Sequence, residues 1–360
     1  MNTIIVIGDS FNNTLGLIRS IGETGRGVIL LLVGDDRLYV KKSRYIRKTF
    51  HCECLDCCWD ILLELSRTYK DSFLICSNDK AAKWVDERER ELSSFFKTPM
   101  RGNSLGILFD KPEQCELAKE FGITIPLSFN YKRGEFFSQS VGFPVLLKPS
   151  NSNSGEKSDI HICQNIKDVN EALNLSSVCQ DFICQEYIEK DFEINLIGVS
   201  TDNGVVIPGG IKKIRHYPTI YSPCSYGRFL PAAMLDIDIG PVAAMVESVG
   251  YRGPFSVEFL RKGNKSYFME VNFRHDGLAY AATASGVNLL RMYLEGSPSK
   301  YKVSPIYMMD LSIDYCHVKD KNISHWHWIK DFIKTGCQLN FNWRDPMPTI
   351  SYYLHKISKF

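Results

Sequence analysis

"FMEVNFRHDG", Phe268 to Gly277, sets Glu270, Asn272 and Arg274 two residues apart, with Met269, Val271 and Phe273 between them. In a strand, successive side chains point to opposite faces. The pattern predicts one apolar face and one face carrying a carboxylate, an amide and a guanidinium in a row. A solvated sheet face or the wall of a cleft would both accept that row. The run just before it, "FSVEFLRKGNK" from Phe255 to Lys265, alternates in the same way. Val257 and Phe259 face one side, Ser256, Glu258 and Leu260 the other, and "KGNK" is a hairpin turn.

Pairing across Gly263–Asn264 would bring Glu258 near Glu270. Two carboxylates and an amide oxygen on one sheet face repel unless a cation sits between them. Hard oxygen ligands of this kind suit Mg²⁺. The competing reading leaves these residues in solvent, paired with Lys262 or Lys265.

The chain around the hairpin has 360 residues, 44% of them hydrophobic, which predicts two or three domains with real cores. A net charge of +2 argues against a nucleic-acid partner. No apolar run approaches the ~20 residues that span a bilayer, so no membrane partner is expected. "MNTIIVIGDS" lacks a basic lead and reads as a first strand, not a signal peptide. The expected compartment is therefore the reducing cytoplasm, with the twelve cysteines as thiols. Cys52, Cys54, Cys57 and Cys58 cluster beside His51, but no second pair exists elsewhere to complete a zinc site. That stretch reads as a strand end, an Asp56 cap and an amphipathic helix.

Upstream, short apolar runs alternate with helical patterns, which predicts a parallel α/β sheet. The loop Gly8 to Asn13 has no G-x-G-x-x-G and gives no dinucleotide signal. "FDKPEQCELAKEFGITIP" is a helix with Asp110 placed to cap it, Pro112 in its first turn and Gly122 at its end. "FPVLLKPS" is a strand ending at Lys148, followed by small polar residues that read as a mobile loop. "FICQEYIEKDFEINLIGVS" is a strand, a turn near Glu189–Asp191, and a second strand.

Taken in order, these parts resemble the ATP-grasp superfamily, most closely its carboxylate–amine ligase branch, over roughly residues 1 to 300. The resemblance implies an α/β fold: an N-terminal Rossmann-like parallel domain, then two α+β subdomains that sandwich ATP. The implied divisions are 1–100, 101–185 with a phosphate loop at 150–158, 186–300 with the metal hairpin, and an aromatic extension at 301–360. By the same resemblance, Lys111 and Lys148 contact nucleotide phosphates, and Gln185, Glu186 and Ile188 meet the adenine. Glu193 meets the ribose. Ser152, Ser154, Gly155 and Lys157 close over the phosphates, although a loop with one glycine departs from many relatives. Glu258, Glu270 and Asn272 would hold Mg²⁺, with Mn²⁺ able to substitute. A further basic residue on the substrate side is common in the family; Lys213, counted with the nucleotide contacts, Arg215 and Arg228 are the candidates, and alignment does not separate which reaches substrate or phosphate.

The implied reaction joins a small, amino-acid-like carboxylate to an amine through an acyl phosphate. Lys148 and Glu270 would assist phosphoryl transfer, and Arg274 would hold the reacting acid. A phosphotransferase or carboxylating enzyme, and a silent nucleotide-binding protein, are the alternatives. A homodimer is compatible with the family.

Overall fold

The apolar runs at the start of the chain are buried on both faces. The computed structural model describes residues 3–34, 39–135, 141–149, 160–175, 180–296 and 300–357. Strands β1 (Thr3–Gly8), β2 (Gly27–Val33), β3 (Ile46–Cys52) and β4 (Leu74–Cys76) form a parallel sheet in the order β3-β2-β1-β4. Alternate side chains feed two different cores. Ile4, Val6, Val28 and Leu30 pack with the helix Asn12–Gly22, whereas Ile5, Ile7, Ile29 and Leu31 pack with the helix Cys58–Thr68. Continuous Val/Ile/Leu runs are what burial on both faces of a parallel sheet requires.

A second, four-stranded antiparallel sheet holds β5 (Ser128–Lys132), β6 (Val145–Pro149), β7 (His161–Cys163) and β8 (Asp181–Glu186), in the order β5-β8-β6-β7. It has its own small core, in which Val145, Leu147, Phe182 and Cys184 meet Val169 and Leu173 of the helix Ile166–Leu175.

The third sheet has seven strands: β9 (Phe192–Thr201), β10 (Gly204–His216), β11 (Cys224–Pro231), β12 (Pro254–Lys262), β13 (Lys265–Asn272), β14 (Ile306–Met309) and β15 (Thr335–Gln338). Their order is β13-β12-β9-β10-β11-β14-β15. Ile197, Val199, Ile211 and Phe229 of this sheet share one core with the first sheet, so these two layers form a single body. Beneath the hairpin β12–β13 lies another core, of Val257, Phe259, Phe268, Val271 and Phe273 against the helix Gly240–Ser248.

The hairpin departs from strict alternation at one point. Glu258 opposes Glu270, but Phe259 opposes Phe268, so Met269 is an extra, bulged residue. Phe268 therefore joins Val271 and Phe273 in the core, and Met269 does not. Two other expectations also change. Asp56 does not cap its helix; its carboxylate accepts from Trp84 Nε1 at 2.8 Å and Arg88 Nη2 at 2.9 Å. The Ala-rich segment is two short helices, Tyr280–Ala284 and Leu289–Glu295, divided at Gly286, whose φ of +103° a helix cannot contain.

The last sixty residues are tied to the body by buried charge. Arg19 and Asp345 are fully buried and joined at 3.1 Å. Arg19 also donates to the carbonyls of Leu339, Asn340 and Asp345, and the Asp345 carboxylate accepts from Ser43 Oγ and Arg44 N. Four of the five Arg19 N–H donors and both Asp345 carboxylate oxygens are thereby used, and such additional bonds are what make a buried ion pair tolerable.

Candidate functional site

The site begins at the edge strand β13. The helix Lys111–Glu120 covers that edge through Gln114, whose side-chain amide donates to Val271 O at 2.9 Å and accepts from Val271 N at 3.0 Å. Asp110 precedes this helix without a side-chain capping bond; its carbonyl accepts from Gln114 N. The staple sets Lys111 beside the hairpin, with Nζ 2.5 Å from Glu270.

Register assembles the rest. Glu270, Glu258 and Asn195 lie opposite one another across β13, β12 and β9, on one face. Asn272 opposes Ser256 one step further along. Lys213 on β10 opposes Glu193 on β9, and its ammonium donates to Glu193 and Glu258, each at 2.8 Å. Lys190 completes this group with a bond to Glu193. Neither Lys262 nor Lys265 pairs with the two acids; Lys111 and Lys213 do. Among the three basic candidates, Lys213 is the one at the acids. Arg215 instead binds Asp314 and Asp331 of the C-terminal extension, and Arg228 lies over the Tyr307 ring.

Lys148 reaches the site from the small sheet. Its ammonium donates to Gln185 Oε1 at 3.2 Å and has no carboxylate partner among the described residues. Gln185 and Ile188 are buried nearby in the chain, and Glu186 bonds the backbone of Leu127. The expected phosphate-loop residues Ser152, Ser154, Gly155 and Lys157 lie outside the described residues.

The charges act on one another. Burial disfavours the charge on Lys148, and the neighbouring Lys111 cation lowers its pKa further. Burial also opposes the charge on Lys111, but Glu270, Glu258 and Asp79 outweigh it and raise that pKa. The acids diverge. Burial, with Glu270 and Asp276 close by, raises Glu258; Glu270 is held low against burial by Lys111, Arg274 and Lys213. Burial opposes ionisation of Glu193 too, and Lys213 and Lys190 override it.

Arg274 stands on the same face as Asn272 and donates to Asn272 Oδ1 at 3.2 Å. It also donates to Asp79, at 2.9 and 3.1 Å, and to Asp276 at 3.3 Å. Asp79 begins the helix that follows β4, so the first sheet forms the far wall of the site. The same wall approaches at Gly277, where an added Cβ would lie 2.5 Å from Asn13 Oδ1.

Sequence reasoning missed Asp79 and Asn195, and it read His275 and Asp276 as a surface loop, whereas both are buried. Asn195 carried a usable signal: it falls two residues after Glu193 in an alternating strand, and so shares its face. It is 1% exposed, bonds Asp276, and its Oδ1 has no hydrogen-bond donor.

These donors fit a hard divalent cation. Two opposed carboxylates, the Asn272 amide and the unsatisfied Asn195 oxygen offer oxygen alone. Among the described residues no group of three or more Asp, Glu, His or Cys side chains forms a closed metal cage. Mg²⁺ is one hard cation of this kind, and it keeps water and phosphate oxygens among its ligands.

No protein-family model matches the chain. Over 147 residues it is 28% identical to a formate-dependent phosphoribosylglycinamide formyltransferase of Nitratiruptor sp., a match spanning 39% of this chain and 36% of that protein. The fold resembles N5-carboxyaminoimidazole synthetase from Staphylococcus aureus, also solved with ADP, with a TM-score of 0.67 at 16% identity, covering 90% of this chain and 86% of the other. An L-amino acid ligase from Bacillus licheniformis gives a TM-score of 0.61 at 13% identity over 82% and 74% of the two chains.

Proposed function

We propose that this chain, which belongs to the ATP-grasp superfamily by its fold and its relatives, is an ATP-dependent carboxylate–amine ligase. The observation that carries the reading is Lys148: a partly buried cation whose hydrogen-bond partner is a neutral amide, with Lys111 and Glu270 near enough to act on its charge. A buried cation without a counter-ion is costly unless an anion arrives. A triphosphate supplies that anion.

Lys148 and Lys111 neutralise phosphate oxygens as point charges. Ile188 and Gln185 line the adenine side, and Glu193 lies toward the ribose. Glu258, Glu270 and Asn272 would hold Mg²⁺, which would offset negative charge on the phosphates. On this side of the gap the cations are Lys111, paired with Glu270, and Lys213, paired with Glu193 and Glu258. The acid substrate's carboxylate oxygen attacks the γ-phosphorus, the bond to ADP breaks, and an acyl phosphate forms. The amine nitrogen then attacks the acyl carbon, phosphate leaves, and the nitrogen loses a proton. Arg274 suits the acid or the developing oxyanion, since it sits beside Asn272. To serve there it exchanges Asp79 for the substrate carboxylate.

A phosphate-release assay over pools of amino acids, other carboxylates and amines, with mass detection of products, tests the reading. Turnover is expected only with both an acid and an amine. Turnover with acid alone would favour a phosphotransferase or carboxylating enzyme, and none at all a silent nucleotide-binding protein. Lys148→Ala and Glu270→Ala are each expected to lower turnover about 100- to 1,000-fold, as removal of one preorganised electrostatic contact does, with an unchanged circular dichroism spectrum. Full activity in either would refute the site. Arg274→Ala should reduce acid-dependent turnover more than nucleotide affinity, measured by titration calorimetry.

A further inference from the structure

The helix His325–Lys334, capped by Ser324 Oγ on His327 N, turns its apolar side outward. At 100° per residue, Trp328, Asp331 and Phe332 share one side, and this side faces the protein. Asp331 is bound by Arg215, and Trp328 stacks on Phe332 with ring centroids 5.4 Å apart. Trp326, Ile329 and Ile333 share the opposite side, and they are 76%, 38% and 75% exposed. Lys330 and Lys334 border this stripe, are exposed, and form no ion pair among the described residues. Exposed Lys319 and Lys321 lie in the stretch just before the helix. The acids of the region are engaged elsewhere: Asp320 with the Tyr217 hydroxyl, and Asp314 and Asp331 with Arg215.

A helix packed on a globular protein normally points Trp and Ile inward and its charges outward. Here the outward face carries both an apolar stripe and a basic border. Water stabilises only the second. A second copy of this chain docking face to face would bring two basic borders into one interface, since a two-fold contact uses the same patch on both subunits. An anionic lipid surface accepts both features, the stripe in the headgroup–acyl boundary and the lysines among the headgroups.

We propose that this helix docks the protein on the surface of an anionic bilayer, with Trp326, Ile329 and Ile333 entering the interface. Such contact needs no span, and no helix among the described residues is long and apolar enough to cross a membrane. The expectation of no membrane partner came from the lack of a spanning run, and that criterion does not address a short helix lying flat. The inference stands apart from the reaction, because none of these residues belongs to the nucleotide site.

Flotation of the full chain with vesicles tests it. The chain should float with phosphatidylcholine vesicles containing phosphatidylglycerol and bind pure phosphatidylcholine at least about tenfold more weakly, given about 1 kcal/mol for each lysine near the surface. Ile333→Glu should abolish flotation, and the double variant Lys330→Glu/Lys334→Glu should weaken it by a similar factor to the loss of anionic lipid. Both substitutions are at exposed positions, and light scattering checks that each variant stays folded and unaggregated. Failure to float with anionic vesicles, or equal flotation of Ile333→Glu, overturns the proposal. So does a dimer that Ile333→Glu splits without any vesicle binding, which would assign the stripe to a second copy.

Discussion

The hairpin β12–β13 and the small sheet β5-β8-β6-β7 carry the two halves of the proposed site and are built differently. The hairpin rests on a core that includes Val257, Phe259, Phe268, Val271 and Phe273, on a body whose first and third sheets share further apolar side chains. Its two acids are each matched by a lysine. The small sheet has a separate and smaller core, and its Lys148 meets only an amide. The helix carrying Lys111 leads in sequence into the small sheet, yet Ala118 packs in the hairpin core and Gln114 is stapled to β13. One lysine is thus held by the body, and the other travels with an independently cored unit. A charge imbalance between two units would close if a polyanion bound both, which is the arrangement proposed above.

Perturbing each region separately tests that contrast. The largest effect is expected in the body. Arg19→Ala leaves Asp345 buried and uncompensated, and should cost about 3–5 kcal/mol, read as a fall in the denaturant midpoint of global unfolding. Loss below 1 kcal/mol would mean that the C-terminal extension is not secured through this pair. In the small sheet, Leu147→Ala should cost about 2–5 kcal/mol, but locally. Hydrogen exchange is expected to speed up in β5 to β8 while β1, β9 and β12 keep their protection. Uniform acceleration would show that the two units are not separable.

A third perturbation acts on the body through pH. Burial pushes the Glu89 carboxyl up to about 7, against bonds from Thr98 and Gly102 N that favour its charged form. The folded state then holds a proton that the unfolded chain, with a carboxyl near 4.5, has already lost. Stability is full below 4.5 and falls as pH rises through about 7, by about 3 kcal/mol in all. Glu89→Gln should flatten that fall in a series of unfolding curves from pH 5 to 8 and leave β5–β8 protection unchanged. A slope identical to the wild type would assign the pH dependence to another group.

Much of the site was legible because strand alternation is a local property. Alternation set Glu270 and Asn272 on one face and hairpin pairing suggested Glu258 beside them, whereas Lys111 and Lys148 came from the resemblance to the ATP-grasp superfamily. The bulge at Met269 was not legible, because a bulge depends on how the partner strand pairs. Asp79 was invisible for a related reason: it meets Arg274 across 195 positions of chain. The choice of Lys213 over Arg215 and Arg228 depended on which strand lies beside β9, and Arg215 found its acids in a segment that the spacing pattern left irregular.

By itself, the sequence determined which residue types alternate, where strands and helices begin, and that oxygen donors and cations are present in chain order. Tertiary structure alone decided which cation neutralises which acid and which cation is left without one. Side-chain period follows from backbone geometry within a few residues, whereas charge pairing acts through space, between groups that only the folded chain brings together.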